Sequence, residues 1–174
     1  MKNLIFLLNL ALISLFSCQS VVAQPTPTVS TKHSDLEIER MISQYNTSHQ
    51  RDIYPLANLQ KQFNKDFPKA HDIDWEFGAD IYEVEFEIGR TDYKAYYDNA
   101  ANLIMYTLDL KESALPAIVK NAAMAKYPNY KFDDVKKIAK GSETLYKVEM
   151  KKDKSNDIKA TFKHDGTFID EFFD

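Results

Sequence analysis

Cysteine is almost missing from this chain: Cys18 is the only one in 174 residues. The segment that follows it can therefore hold no disulfide, no thiol nucleophile and no cysteine-ligated metal. Glycine is scarce too, with four in all. That leaves no loop able to cradle phosphate with backbone N–H groups, and no serine stands in a glycine-flanked strand-to-helix elbow. A basic excess is also absent. The net charge is −4, and a mildly acidic chain lacks the basic patch that displaces counterions from nucleic acid. His33, His49, His71 and His164 are scattered, without the i, i+4 spacing of a helical metal pair. Asp72 with Asp74, and Asp133 with Asp134, lie too close in sequence to face each other as an acid and a base; they read as turn and edge residues. No catalytic residue, metal or cofactor is expected, and the chain reads as a non-enzyme.

What is present begins with Lys2 and the apolar run from Leu4 to Phe16, interrupted by Asn9 and Ser14. A positive start before a short greasy segment is the layout of an export signal, too short for a stable membrane span. Val21 and Ala23 offer modest side chains to a signal peptidase, so residues 1–23 read as the signal and Gln24 as the new first residue. The alternative is a lipoprotein, in which Leu15-Phe16-Ser17-Cys18 acts as a lipobox and Cys18 is acylated. Both place the folded part outside the cytoplasm, in the periplasm or secreted, with membrane attachment only through Cys18.

Residues 24–34, rich in Pro, Thr and Ser, read as a flexible tether. Residues 35–53 carry Leu36, Met41, Ile42 and Tyr45 near the helical repeat and read as an accessory N-terminal helix. From Pro55, the residues Leu56, Leu59, Phe63 and Phe67 recur every three or four positions until Pro68 stops the helix. The period then changes to two. Ile73, Trp75 and Phe77 alternate with acids; Tyr82, Val84, Phe86 and Ile88 share one face opposite Glu83, Glu85 and Glu87; Tyr93, Ala95 and Tyr97 oppose Lys94 and Tyr96; and 103–110 makes a fourth strand.

The same order returns. Ser113 is a suitable N-cap, Pro116 suits a first turn, and Leu115, Ile118, Val119 and Ala122 form an apolar stripe ending at Tyr127-Pro128. Strands follow over 132–138, 146–150, 157–162 and 168–172, with turns at Gly141-Ser142 and His164 to Thr167. Residues 54–112 and 113–174 thus read as two copies of one unit, a helix plus a four-stranded antiparallel meander. The fold class is α+β, with helices on one face of a sheet whose other face is open.

At Phe67-Pro68, Trp75, Tyr82-Glu83-Val84-Glu85-Phe86, and again at Tyr127-Pro128, Tyr146-Lys147-Val148-Glu149-Met150 and Asp165-Gly166, the chain resembles the PepSY-like, β-lactamase-inhibitor-like family of exported Bacteroidetes-type proteins. The resemblance covers roughly 54–174. It implies a tandem sheet similar to that of the β-lactamase inhibitory protein and a role in binding or inhibiting another envelope or extracellular protein. It brings no catalytic residue. The first unit departs from the second in having Asn99-Ala100-Ala101-Asn102 where the second has a glycine turn, which weakens the expected hairpin register.

Alternation puts Glu83, Glu85, Glu87, Lys94 and Tyr96 on the open face of the first unit and Lys147, Glu149, Lys151, Lys159, Thr161 and Lys163 on that of the second. One half is then acidic and the other basic, which suits an oriented protein partner. Cross-strand ion pairing on a solvated face is the plainer account of each residue taken singly. A small-molecule sensor holding its ligand between sheet and helices, or a structural envelope-stress protein, are the alternatives in other classes.

Mass spectrometry of the exported chain is expected to find Gln24 at its N-terminus; an acylated Cys18 there would establish the lipoprotein route instead.

Overall fold

The computed structural model describes residues 26–47, 49–50, 53–152 and 157–173. The expected signal, its cleavage point and Cys18 lie outside these. Helix α1 (Asp35–Tyr45) starts at Ser34 with a capping box, in which the Glu37 N–H donates to Ser34 Oγ (3.3 Å) and the Ser34 N–H donates to Glu37 Oε2 (2.8 Å). The two-residue strand β1 (His49–Gln50) follows. The segment 35–53, expected as a helix, is therefore a helix and then the start of a sheet.

Next come α2 (Ala57–Asp66), β2 (His71–Gly78), β3 (Ile81–Ile88), β4 (Thr91–Asp98) and β5 (Leu103–Asp109). A 3-10 turn at Glu112–Ala114 leads into α3 (Ala117–Lys126), β6 (Lys131–Lys140), β7 (Glu143–Lys151), β8 (Ile158–Lys163) and β9 (Phe168–Phe173). All the strands join one antiparallel sheet in chain order, β1 to β9. Tight turns join most neighbours, which must then be antiparallel, while β1–β2 and β5–β6 are antiparallel although α2 and α3 lie between them.

One face of the sheet is covered by α2 and α3. Leu59, Phe63 and Phe67 lie on Trp75, Tyr82, Val84, Phe86, Ala95, Tyr97 and Tyr106. The Phe63 ring is the hub, 5.0 Å from Phe86, 5.3 Å from Trp75 and 5.6 Å from Phe67 between centroids. In the second half Leu115, Val119, Ala123 and Tyr127 lie on Tyr146, Val148, Ala160 and Phe162. Both helices end alike, at Phe67 (φ −129°, ψ 68°) and Tyr127 (φ −122°, ψ 70°), each followed by proline. Proline disfavours helical geometry in the residue before it, so the stop is encoded locally.

Three local expectations change. Ser113 lies in the 3-10 turn, and Pro116 is the N-cap of α3 without a side-chain cap bond. The buried stripe of α3 recurs every four residues through Leu115, Val119 and Ala123, which leaves Ile118 54% exposed. Ile73 is 40% exposed rather than inward, because a register shift between His71 and Asp74 breaks the alternation before Trp75.

The segment expected as a tether is also held down over its described part. The Ser30 N–H donates to the Leu103 carbonyl (2.7 Å), Val29 packs on the first core, and His33 Nε2 lies 3.1 Å from Asp98 Oδ2. Asp98 further closes the glycine-free turn between β4 and β5, accepting from the N–H groups of Ala100 (2.9 Å) and Asn102 (2.8 Å) and from Asn102 Nδ2 (2.7 Å). Burial pushes the Asp98 carboxyl up, but these bonds outweigh it and hold the group below its ordinary value. A carboxylate here takes the place of glycine, while Ala101 sits at φ 61° and the register shifts between Tyr96 and Tyr97.

The largest change concerns the other face. Helix α1 lies there, with Ile38 and Tyr45 packed on Ile81, Tyr96 and Ile104. Helices therefore cover both faces of the first half of the sheet, not one.

Phe63→Ala is expected to cost about 3–5 kcal/mol, whereas Ile118→Ala should stay within about 0.5 kcal/mol. Urea denaturation of the two variants checks both.

Candidate functional site

The outer face, opposite α2 and α3, collects the residues that alternation put on an open face. Register pairs Glu83 with Tyr96, Glu85 with Lys94 and Glu87 with Asp92 across β3 and β4. Lys147 stands opposite Thr161, and Glu149 opposite Lys159, across β7 and β8. The alternation assigned these side chains to the correct side of the sheet, but it did not give their exposure.

Glu83 and Tyr96 do not lie in the open. The end of α1 covers them, and the Glu83 side chain is only 4% exposed. The Tyr45 ring meets Tyr96 edge-on, 6.1 Å between centroids, and the Tyr45 hydroxyl donates to Glu76 Oε2 (2.6 Å). Burial, then the neighbouring Glu83, pushes the Tyr96 phenol far above its ordinary value. A buried carboxylate needs a counter-charge, and Lys94 supplies it, with Nζ 2.7 Å from Glu83 Oε1 and 2.5 Å from Glu85 Oε1. Burial works against the Lys94 ammonium, yet its bonds to Glu83 and Glu85 prevail and raise its pKa.

Beyond α1 the same face opens into a basin of about 660 Å³. Six carboxylates line it: Asp72, Asp74, Glu85, Glu87, Asp92 and Asp109. Its two cations are already engaged, Lys94 with the glutamates and Lys136 with Asp109 Oδ1 at 3.0 Å. Glu87 and Asp92 face each other directly, an arrangement that costs stability because like charges meet across strands. At the rim His71 Nδ1 lies 2.9 Å from Asp72 Oδ2, and Glu87 brings a third ligand-type atom within 4.8 Å of both. Asp72, Asp74, Asp92 and Asp109 did not stand out in the sequence. Asp72 and Asp74 read as edge residues, and only the pairing of β2, β3 and β4 gathers them.

The second half is less basic than its lysines suggest. Lys151 lies 2.8 Å from Asp133 Oδ2, Lys163 2.8 Å from Glu143 Oε1, and Lys159 4.0 Å from Glu149 Oε2. The expected contrast of an acidic and a basic half is thus an acidic basin beside a field of paired charges.

Missing from the sequence reading is a second apolar set on this outer face: Ile81, Ile104, Met105, Ile138 and Leu145. A signal for it exists. Leu103 to Tyr106 is four apolar residues in a row, and such a run marks a strand covered on both sides.

Among solved structures, the chain is similar to a DUF2874 family protein from Bacteroides uniformis (21% identity, covering 69% of this chain and 90% of that one, TM-score 0.62). It is also similar to a BLIP-like protein from Bacteroides fragilis (24% identity, 70% and 87% covered, TM-score 0.61). A third similar structure is a protein from Bacteroides eggerthii provisionally described as periplasmic (18% identity, 70% and 90% covered, TM-score 0.63). At these identities the likeness shows an α+β fold of BLIP-like type; it does not bear on the PepSY-like part of the resemblance. No family model and no curated protein matches the chain.

Lys94→Met is expected to destabilise the fold by about 2 kcal/mol, less than a fully buried pair because Lys94 is one-third exposed. With its folded pKa raised, the Lys94 contribution is complete below about pH 10 and is lost as pH rises through the folded value. The variant should therefore show a flatter decline in stability above about pH 10 in urea titrations.

Proposed function

We propose that this chain is an exported, non-enzymatic binding module that holds another envelope or extracellular protein on the part of the outer face α1 leaves open. The observation that carries the reading is the basin, where six carboxylates surround two cations already engaged with carboxylates. A concave acidic surface at the mouth of a rigid sheet favours a partner that presents lysines or arginines, since complementary charge supplies steering and register. Inhibition of an envelope hydrolase is the form of binding that the β-lactamase-inhibitor-like resemblance suggests. Export rests on the apolar N-terminal run.

The two halves are read as a repeated unit. In support, each runs helix then four antiparallel strands, and each helix ends at an aromatic residue before proline with nearly the same dihedral angles. Among the described residues the second unit has no outer helix like α1, so the halves present different outer faces despite the shared plan.

Glu83 is buried, so the residues to alter are its more exposed neighbours. Reversing Glu85, Glu87 and Asp92 together to lysine is expected to abolish capture of the partner from native envelope extract, with Lys120→Glu on α3 leaving capture intact. Captured proteins are identified by mass spectrometry. Undiminished capture by the triple variant would remove the basin from the reading, and association insensitive to salt would do the same.

A further inference from the structure

A groove of about 500 Å³ runs along α1 on the outer face, next to the acidic basin, from which it is one same-face step away along β5 (Met105 to Thr107) and β6 (Ile138 to Lys136). Its wall is α1 and the two residues after it, with Ile38 and Ile42 beside the polar Glu39, Ser43, Asn46 and Thr47. Its floor is Met105, Ile138 and Leu145, brought side by side because Met105 pairs with Lys140 across β5 and β6 and Ile138 with Leu145 across β6 and β7. These floor positions belong to the face that alternation would make polar, so the apolar strip is a departure from the pattern of the rest of that face. Its volume falls in the range of small-molecule sites.

One charge is built into this strip. Lys140 is 7% exposed, and its Nζ lies 2.6 Å from Glu39 Oε1, whereas the Glu39 side chain is 63% exposed. The cation is thus fixed within the groove by packing, and its anion is a surface side chain free to swing into water. Burying an ammonium is costly unless a negative charge stays with it, so a carboxylate from outside can take the place of Glu39 without leaving Lys140 unpaired. The displaced Glu39 regains full hydration at the helix surface. From Glu39 to Asn46 the helix covers about 10 Å, at 1.5 Å per residue.

We propose that this groove binds a single-chain amphipathic carboxylate, its head group on Lys140 Nζ in place of Glu39 and its aliphatic tail along Ile42, Met105, Ile138 and Leu145. One ammonium matches one negative charge. At about 10 Å along the helix, the strip matches the length of one medium-length hydrocarbon chain. The site shares no lining residue with the acidic basin, and the proposal stands whether or not the basin binds a protein.

The test titrates the mature chain with decanoate and, in parallel, with decanol, following methyl resonances of Ile42, Met105, Ile138 and Leu145 by NMR. Saturable shifts confined to these methyls are expected with decanoate. Lys140→Met should weaken decanoate about tenfold, the loss of one charge-assisted hydrogen bond, and leave decanol unchanged. Glu39→Gln takes the counter-charge from the buried Lys140 and so is expected to lower stability somewhat, its folding being checked first by urea denaturation, and it should tighten decanoate by removing the internal competitor. Equal binding of decanoate and decanol, the lack of any saturable shift at these methyls, or no gain from Glu39→Gln would each overturn the proposal.

Discussion

One continuous antiparallel sheet is the constraint on which the molecule depends. Successive side chains in a strand point to opposite faces. Hydrogen bonding of all the strands in chain order carries that assignment from β1 to β9, reset locally where the register shifts at His71/Asp74, Tyr96/Tyr97, Phe132/Asp134 and Thr161/Phe162. Each residue from His71 onward is therefore committed to one of two sides. The helices then decide what each side is for. Helices α2 and α3 bury the aromatic and aliphatic positions beneath them, and Phe63 gathers Trp75, Phe86 and Phe67 about one ring. Surface of this kind buried from water is the main favourable contribution to folding.

The outer face is organised by where α1 stops. Beneath the helix, Ile81, Tyr96 and Ile104 are dry, and the buried Glu83 is held by Lys94. Past it, β2, β3, β4 and β5 bring six carboxylates into one basin, where they meet two lysines, Lys94 and Lys136. Along its flank, apolar side chains of three strands lie open beside a fixed ammonium. Three surfaces of different chemistry thus stand next to one another because one eleven-residue helix covers part of a sheet and not the rest. The strain of setting Glu87 opposite Asp92 is tolerable only at an exposed sheet end, where water screens the repulsion.

Much of this architecture was legible beforehand. The change from a period of three or four to a period of two after Pro68 marks the passage from α2 to the strands, and the same change after Pro128 marks it again. Every outward residue from Glu83 to Lys163 lies on the side its alternation indicates. The departures occur where a residue's neighbour is distant in sequence. Ile73 is exposed through a bulge, Ile118 lies off a stripe that advances by four, and residues 26–34, largely polar, are pinned by Leu103 and Asp98, some seventy positions on. Of the candidate site, Glu85, Glu87 and Lys94 could be named in advance, while Asp72, Asp92 and Lys140 could not.

Taken alone, the sequence determined the succession of elements, the side of the sheet each side chain takes, and the lack of thiol or phosphate-loop chemistry, because these depend on bond geometry and on residues a few positions apart. Tertiary structure alone decided that α1 crosses to the outer face, that Glu83 and Tyr96 are dry, and that six carboxylates meet in one hollow. Such matters rest on contacts between segments remote in the chain, and periodicity, which says which way a side chain points, holds no information about what arrives to meet it.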